Sequence, residues 1–376
     1  MINKQRLLDT FLELVQINSE SGNEQKIQAV LKNKFKSLGL TVIEDQASQI
    51  DNLGSNNLIC TLPSTFENQE IDKVYFTSHM DTVVPGINVK PLVKDDGYIY
   101  SDGTTILGAD DKAGLAAILE SLNVIHENNI DHGQVQFIIT VGEEIGLEGA
   151  KQLPVELLDS DYGYAVDASS PVGTTVIGAP TQMKFDATIY GKTAHASVPD
   201  KGISAINIAA KAVSDMKLGR IDDVTTANIG RFEGGSATNI VADKVTLKAE
   251  ARSHSNERID EQIEHMKSAV ENTVQRFGTS ADIDITKSYP GFRVATDAKV
   301  TEIAKKSATE LDLSPDTIIA GGGSDGNIIN GFGIPTVILG VGYEKIHTKS
   351  ERMPIASLNL LSQQILKIIE IITNNK

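Results

Sequence analysis

Apolar residues recur along this chain with two periods, and the order of those periods predicts its elements. The first fifteen residues, ending Leu12-Glu-Leu-Val15, read as an amphipathic helix, with charges interrupting any apolar core of an export signal. Ser21-Gly-Asn-Glu24 has the Ser-x-x-Glu form of a capping box, and Ile27, Val30, Leu31, Phe35 and Leu38 follow at helical spacing. Short β-rich runs come next, at Asn57 to Leu62, Lys73 to Ser78, Gln134 to Thr140 and Tyr162 to Val166. A helical stretch from about Asp110 to Glu127 separates the second run from the third. Strands alternating with helices predict an α/β sheet covered by helices, with ligands beyond the carboxyl ends of its strands.

From Thr181 the order changes. Thr181 to Tyr190 reads as a strand, and Ile203 to Lys217 as a helix with Ile203, Ile206, Ala210 and Val213 on one stripe. Strands at Ala227 to Phe232 and Lys244 to Arg252, a helix at Asn256 to Phe277 and a strand at Ala281 to Ser288 complete the series. That order, β-α-β-β-α-β, is the split arrangement of a ferredoxin-like unit. The first style resumes after Pro290, with a helix near Asp297 to Leu311, a Gly-rich loop at Gly321 to Gly323, a strand at Pro335 to Leu339 and a closing helix from Ala356. The expected organisation is a first domain over 1–178, an insertion over 179–290 and a return to the first domain over 291–376. The length of 376 residues fits two domains better than one core.

Charge narrows the partners. The chain carries 34 Lys plus Arg against 50 Asp plus Glu, a net charge of −16. Without a basic run, that sign disfavours nucleic acid and anionic lipid. No stretch approaches the ~20 uninterrupted apolar residues that span a bilayer, so no membrane partner is expected. The single Cys60 closes no intrachain disulfide, and with no export signal the expected compartment is the cytoplasm.

Acidic residues gather beside the predicted strand ends. His79 closes the run Val74-Tyr-Phe-Thr-Ser and is followed at i+2 by Asp81, the parts of a metal ligand and its orienting acid. Asp110-Asp111 opens a helix, Glu143-Glu144 follows the strand Gln134 to Thr140, and Asp167 follows Tyr162 to Ala165. Adjacent carboxylates with no cation raise each other's pKa, so each pair alone reads as a solvated turn or a cation site. Together, at one edge of one sheet with His donors, they suit a dinuclear centre for a borderline metal such as zinc, and hydrolytic chemistry. His126-Glu127 begins no zinc-protease helix, because position 130 is Ile.

Ser78-His-Met-Asp-Thr82, the run Ser101 to Gly114, Gly142-Glu-Glu-Ile-Gly146, Val166-Asp167, Gly191-Lys-Thr-Ala-His195, Gly322-Gly-Ser-Asp-Gly326 and His347 together resemble peptidase T. That is the tripeptidase branch of the dizinc aminoacylase and glutamate carboxypeptidase superfamily, and the match runs over nearly the whole chain. The resemblance implies a catalytic α/β domain, with a mixed central sheet flanked by helices, interrupted by a ferredoxin-like lid that also supports homodimerisation. It implies two divalent metal ions per chain, zinc first and manganese or cobalt as alternatives. His79 and Asp167 would bind one, Glu144 and His347 the other, and Asp110 both. Glu143 would be the general base, Asp81 the acid behind His79 and His195 a stabiliser of the oxyanion. Arg252 and Asn239 would bind substrate. It also implies a cis peptide between Asp110 and Asp111. The implied activity is release of the N-terminal residue of short peptides.

The chain departs from peptidase T in having Ile319-Ala320-Gly321 where that family carries an Arg, and in lacking an insertion before Asp110. Both lie near the expected substrate pocket. The alternatives within the superfamily are an N-acyl amino acid deacylase and a dipeptidase or carboxypeptidase. Outside it, Gly322-Gly-Ser324-Asp-Gly326 satisfies the Gly-x-Ser-x-Gly of a serine hydrolase, with His347 downstream, but leaves Glu143-Glu144 and Asp110 unexplained. Gly191-Lys192-Thr193 imitates the end of a P-loop, but position 186 is Asp where its first Gly must stand. A non-catalytic relative would be expected to have lost Glu143 or a ligand, and all are present.

Overall fold

Val74–His79 and Val135–Thr140 are buried at every residue, which a strand achieves only when both faces of its sheet are covered. A computed structural model, describing residues 1–67 and 70–374, places them side by side and parallel. The sheet runs, in spatial order, Thr41–Glu44, Leu58–Leu62, Val135–Thr140, Val74–His79, Tyr162–Ala168, Thr336–Gly340, Thr175–Val176 and Thr317–Ile318. Leu58–Leu62 is antiparallel to Val135–Thr140, so the sheet is mixed. The rings of Phe35, Phe137, Phe76 and Tyr164 form a stacked series through its core, with centroids 6.2, 5.9 and 5.4 Å apart. The register His79 to Thr140 and Thr77 to Ala165 brings three parallel strands to one edge together. His79, the loop holding Glu143 and Glu144, and Asp167 leave the sheet there.

The helix Ala109–Asn128 packs against the closing helix Ile355–Asn374. By length and mean composition the latter is long and apolar enough to cross a membrane, although Asn359, Gln363, Gln364, Lys367 and Glu370 interrupt its apolar residues. Leu358, Leu361, Ile365, Ile368, Ile369 and Ile372 are nevertheless buried in this fold. The start of Ala109–Asn128 also differs from a regular helix: Asp110 and Asp111 have non-helical dihedrals and a cis peptide between them.

The capping box at Ser21 does not form. Glu24 occupies the cap of Gln25–Ser37, and its carboxylate accepts from the N–H groups of Gly22 and Gly54. The Ser21 hydroxyl instead donates to Asp81 Oδ2 at 2.6 Å, the tertiary carboxylate winning over the local backbone.

The chain divides into two compact units, one of Met1–Gly178 with the segment from Arg293 onward, the other Ala179–Phe292. The second has the spatial strand order Gly219–Arg220, Thr225–Gly234, Lys244–Ser253, Thr181–Tyr190 and Ala281–Tyr289, with every pairing antiparallel. Two helices, Ala205–Asp215 and Asn256–Arg276, supply Ile208, Ile263 and Met266 to a core with Phe185, Ile189 and Leu247. This is the ferredoxin-like arrangement. Its first helix turns a different face inward than the sequence stripe predicts. Ala205, Ile208, Ala209 and Ala212 are buried, whereas Ile206 and Ala210 are exposed. Both stripes have the same period, so spacing alone could not choose between them.

Candidate metal centre

His79 is the last residue of its strand and is 2% exposed. Its Nδ1 faces the main-chain oxygen of Asp81 at 3.1 Å and Asp81 Oδ1 at 3.4 Å. Acceptors on that side place the proton on Nδ1 and turn Nε2 toward the carboxylates. Nε2 lies 3.1 Å from Asp110 Oδ1 and 3.8 Å from Asp167 Oδ1. The other oxygen of Asp110, Oδ2, lies 3.3 Å from His347 Nε2. His347 Nε2 in turn is 3.1 Å from Glu144 Oε1. Asp110 therefore stands between two imidazoles, one oxygen toward each. Donor atoms of His79, Asp110 and Glu144 all lie within 4.8 Å of one another, a spacing that can hold a metal ion.

The electrostatics of the cluster favour a cation. Burial, reinforced by Asp110, pushes the Asp167 carboxyl well above its ordinary range. Burial does the same to Glu143, aided by Asp167 and Glu144, and raises Glu144 beside Asp110. Asp110 is the exception: burial would raise it, but hydrogen bonds with His347 and His79 bring it below the carboxylate range. Burial opposes charge on His79, yet Asp110 and Asp81 raise its pKa well above the usual value. Asp110 and Glu144 push His347 up to about 10. Bound to these oxygens, a divalent ion would supply the positive charge that the imidazoles of His79 and His347 otherwise bring. The donor set, imidazole nitrogen with carboxylate oxygen, suits zinc, manganese or cobalt.

A buried scaffold holds these groups. Asp81, wholly buried, accepts from the main-chain N–H of Glu143 at 3.0 Å and of Glu144 at 3.2 Å. The acid behind His79 thus also anchors the Glu143-Glu144 loop. Asp111 accepts from the Ser78 hydroxyl and from the Gly114 N–H at 3.1 Å. A Cβ at Gly114 would stand 2.6 Å from that carboxylate, so only glycine admits it. The Tyr343 hydroxyl donates to Asp167 Oδ1 at 3.0 Å, and the buried Asp325 accepts from the Thr140 hydroxyl. Ser21, Tyr343 and Asp325 escaped the sequence reading. Asp325 stood inside a recognised motif, whereas Ser21 was assigned to a cap and Tyr343 carried no signal.

Three predicted residues belong to the second unit. His195 is exposed, and its Nδ1 lies 2.7 Å from the Ser197 hydroxyl and accepts from the Ser197 N–H at 3.2 Å. Asn239 is exposed on an adjacent loop, where its main-chain oxygen accepts from the Ala196 N–H at 2.9 Å. The structure brings these two loops together. Arg252 lies within the strand Lys244–Ser253, its Nε 3.0 Å from Glu250 Oε1. Ser324, the serine-hydrolase alternative, is 1% exposed at the start of the helix Asp325–Gly331, whereas an elbow nucleophile must be exposed.

Comparison with known proteins identifies the family. Residues 75–370 match the model of peptidase family M20/M25/M40. A crystal structure described as a tripeptidase of Staphylococcus aureus is 66% identical, covers 100% of both chains and superposes with a TM-score of 0.96. The aminopeptidase PepT of Bacillus cereus is 53% identical over 99% of each chain, with a TM-score of 0.90. The Bacillus subtilis protein YqjE is 54% identical over 98% of this chain and 99% of its own.

Proposed function

The chain belongs to peptidase family M20/M25/M40 and is a metal-dependent hydrolase, and from that premise we propose that it is a cytoplasmic dizinc aminopeptidase releasing the N-terminal residue of short peptides. The observation that carries this reading is Asp110, whose two oxygens lie 3.1 Å from His79 Nε2 and 3.3 Å from His347 Nε2. A carboxylate so shared suits a bridge between two ions. His79 and Asp167 would hold one, Glu144 and His347 the other, with manganese or cobalt as alternatives to zinc. That the Staphylococcus aureus relative is described as a tripeptidase and the Bacillus cereus one as an aminopeptidase supports the choice of short peptides.

When bound, the metal pair supplies Lewis acidity that makes a water molecule a nucleophile near neutral pH. Glu143 takes the proton of that water on its carboxylate and passes it to the leaving amine nitrogen. Its raised affinity for protons, caused first by burial, favours the first of these transfers. Asp81 keeps Nδ1 of His79 protonated and fixes the loop from which Glu143 projects. His195 would donate from Nε2 to the developing oxyanion. The Ser197 N–H on Nδ1 favours the tautomer that carries its proton there. Arg252 and Asn239 would bind the substrate's polar ends, and the second unit would support a homodimer.

The test is metal content by elemental analysis, with hydrolysis of a free-amine tripeptide, its N-acetyl form and an N-acetyl amino acid before and after chelation. Two metals per chain and chelator-sensitive cleavage of the free tripeptide alone are expected. Cleavage of the N-acetyl amino acid instead moves the function to deacylation.

A further inference from the structure

Glu351 is 1% exposed, and its carboxylate is met by three main-chain donors from a distant part of the chain. Oε2 accepts from the N–H groups of Leu107 and Gly108, both at 2.8 Å, and Oε1 from the N–H of Asp110 at 3.1 Å. Successive amides turned onto one anion form a nest. The left-handed turn at Gly108, with φ of 74°, belongs to that segment. Hydrogen bonds to an ionised carboxylate are stronger than neutral ones, and the third of these bonds holds the main chain of Asp110.

The other end of Glu351 reaches the His347 turn. Its own N–H donates to the Thr348 oxygen at 3.0 Å, and the Thr348 hydroxyl donates to the Lys345 oxygen at 2.7 Å. Lys345 and His347 both have positive φ, so this turn takes a shape its residues do not favour unaided. One side chain thus fastens the turn carrying His347 to the main chain of Asp110, across a separation of 241 residues between Glu351 and Asp110.

We propose that Glu351 is a positioning residue for the metal centre, setting the distance between Asp110 and His347 and with it the affinity for the metal they would share. Its carboxylate meets main-chain amides and not the side chains of the proposed ligands, and this proposal rests on the functional reading above. A merely structural anchor would affect folding alone. A positioning residue must also affect metal affinity and turnover in molecules that remain folded.

The experiment is metal titration of the chelated full-length protein against a competing chromophoric chelator, for wild type, Glu351→Gln and Glu351→Asp. Thermal unfolding, kcat and KM at saturating metal, and the visible spectrum of the cobalt-loaded protein accompany it. Gln leaves one carbonyl acceptor and sets an NH2 against at least one donor. We expect metal affinity to fall by roughly 10- to 100-fold in Glu351→Gln, as for other residues that orient ligands. The cobalt spectrum should shift and kcat should fall, with KM little changed. Glu351→Asp keeps the charge but shortens the reach, and should lose less. Metal affinity and kcat within about twofold of wild type in folded Glu351→Gln overturn the inference. If that variant does not fold, the same result in Glu351→Asp overturns it. Wild-type protein that binds no metal overturns the functional reading, and this inference with it.

Discussion

Asp81 Oδ1 accepts from the main-chain N–H of Glu143 at 3.0 Å, so the acid that orients His79 also positions the proposed base. Two tasks that look separate along the chain share one buried carboxylate. A change at Asp81 would therefore mix a ligand effect with a base effect, and the variants that separate them lie around it.

Ser21→Ala removes a donor from Asp81 Oδ2 without touching His79 or Glu143. A hydrogen bond to a charged group contributes about 1.5–3 kcal/mol. Denaturant unfolding should report a loss of that size, with reduced turnover. Unchanged stability and turnover would show that Asp81 does not need this donor.

Glu143→Gln should retain metal, because the anchoring N–H is main-chain and survives the substitution. Turnover should drop by roughly 10²–10⁴-fold with the proton acceptor gone. Near wild-type kcat in metal-loaded protein would remove Glu143 from the role of base.

His195→Ala should lower kcat by about 10²–10³-fold, the usual effect of losing an oxyanion donor. Metal content and melting temperature should hold, since the side chain is exposed. Normal turnover per folded molecule would end its catalytic assignment.

Asp325 makes the metal-free protein's stability depend on pH. Burial pushes its carboxyl up to about 6, partly offset by the Thr140 hydroxyl. The folded form therefore holds this proton more tightly than the unfolded form. Its contribution is complete below the ordinary carboxylate range and is lost as pH rises through about 6. Urea midpoints of chelated protein should fall across that window, and Asp325→Asn should flatten the decline. An equal decline in the variant would place the titration elsewhere.

What the sequence determined by itself was local. The apolar run Val74 to Ser78 reads as a strand because its neighbours along the chain decide that, and the structure has Val74–His79. The β-α-β-β-α-β order and the carboxylates at strand ends were legible for the same reason. The stripe of Ala205–Asp215 was not, because two faces of one helix fit the same period. Only the tertiary structure decided that Ser21 leaves its cap for a carboxylate 60 residues away. It alone decided that Asp110 divides its oxygens between His79 and His347, and that Glu351 clamps the Asp110 turn. Those choices depend on which buried polar groups face each other once the sheet is closed. Each must then find a partner among its spatial neighbours, and the order of residues along the chain does not reveal who they are.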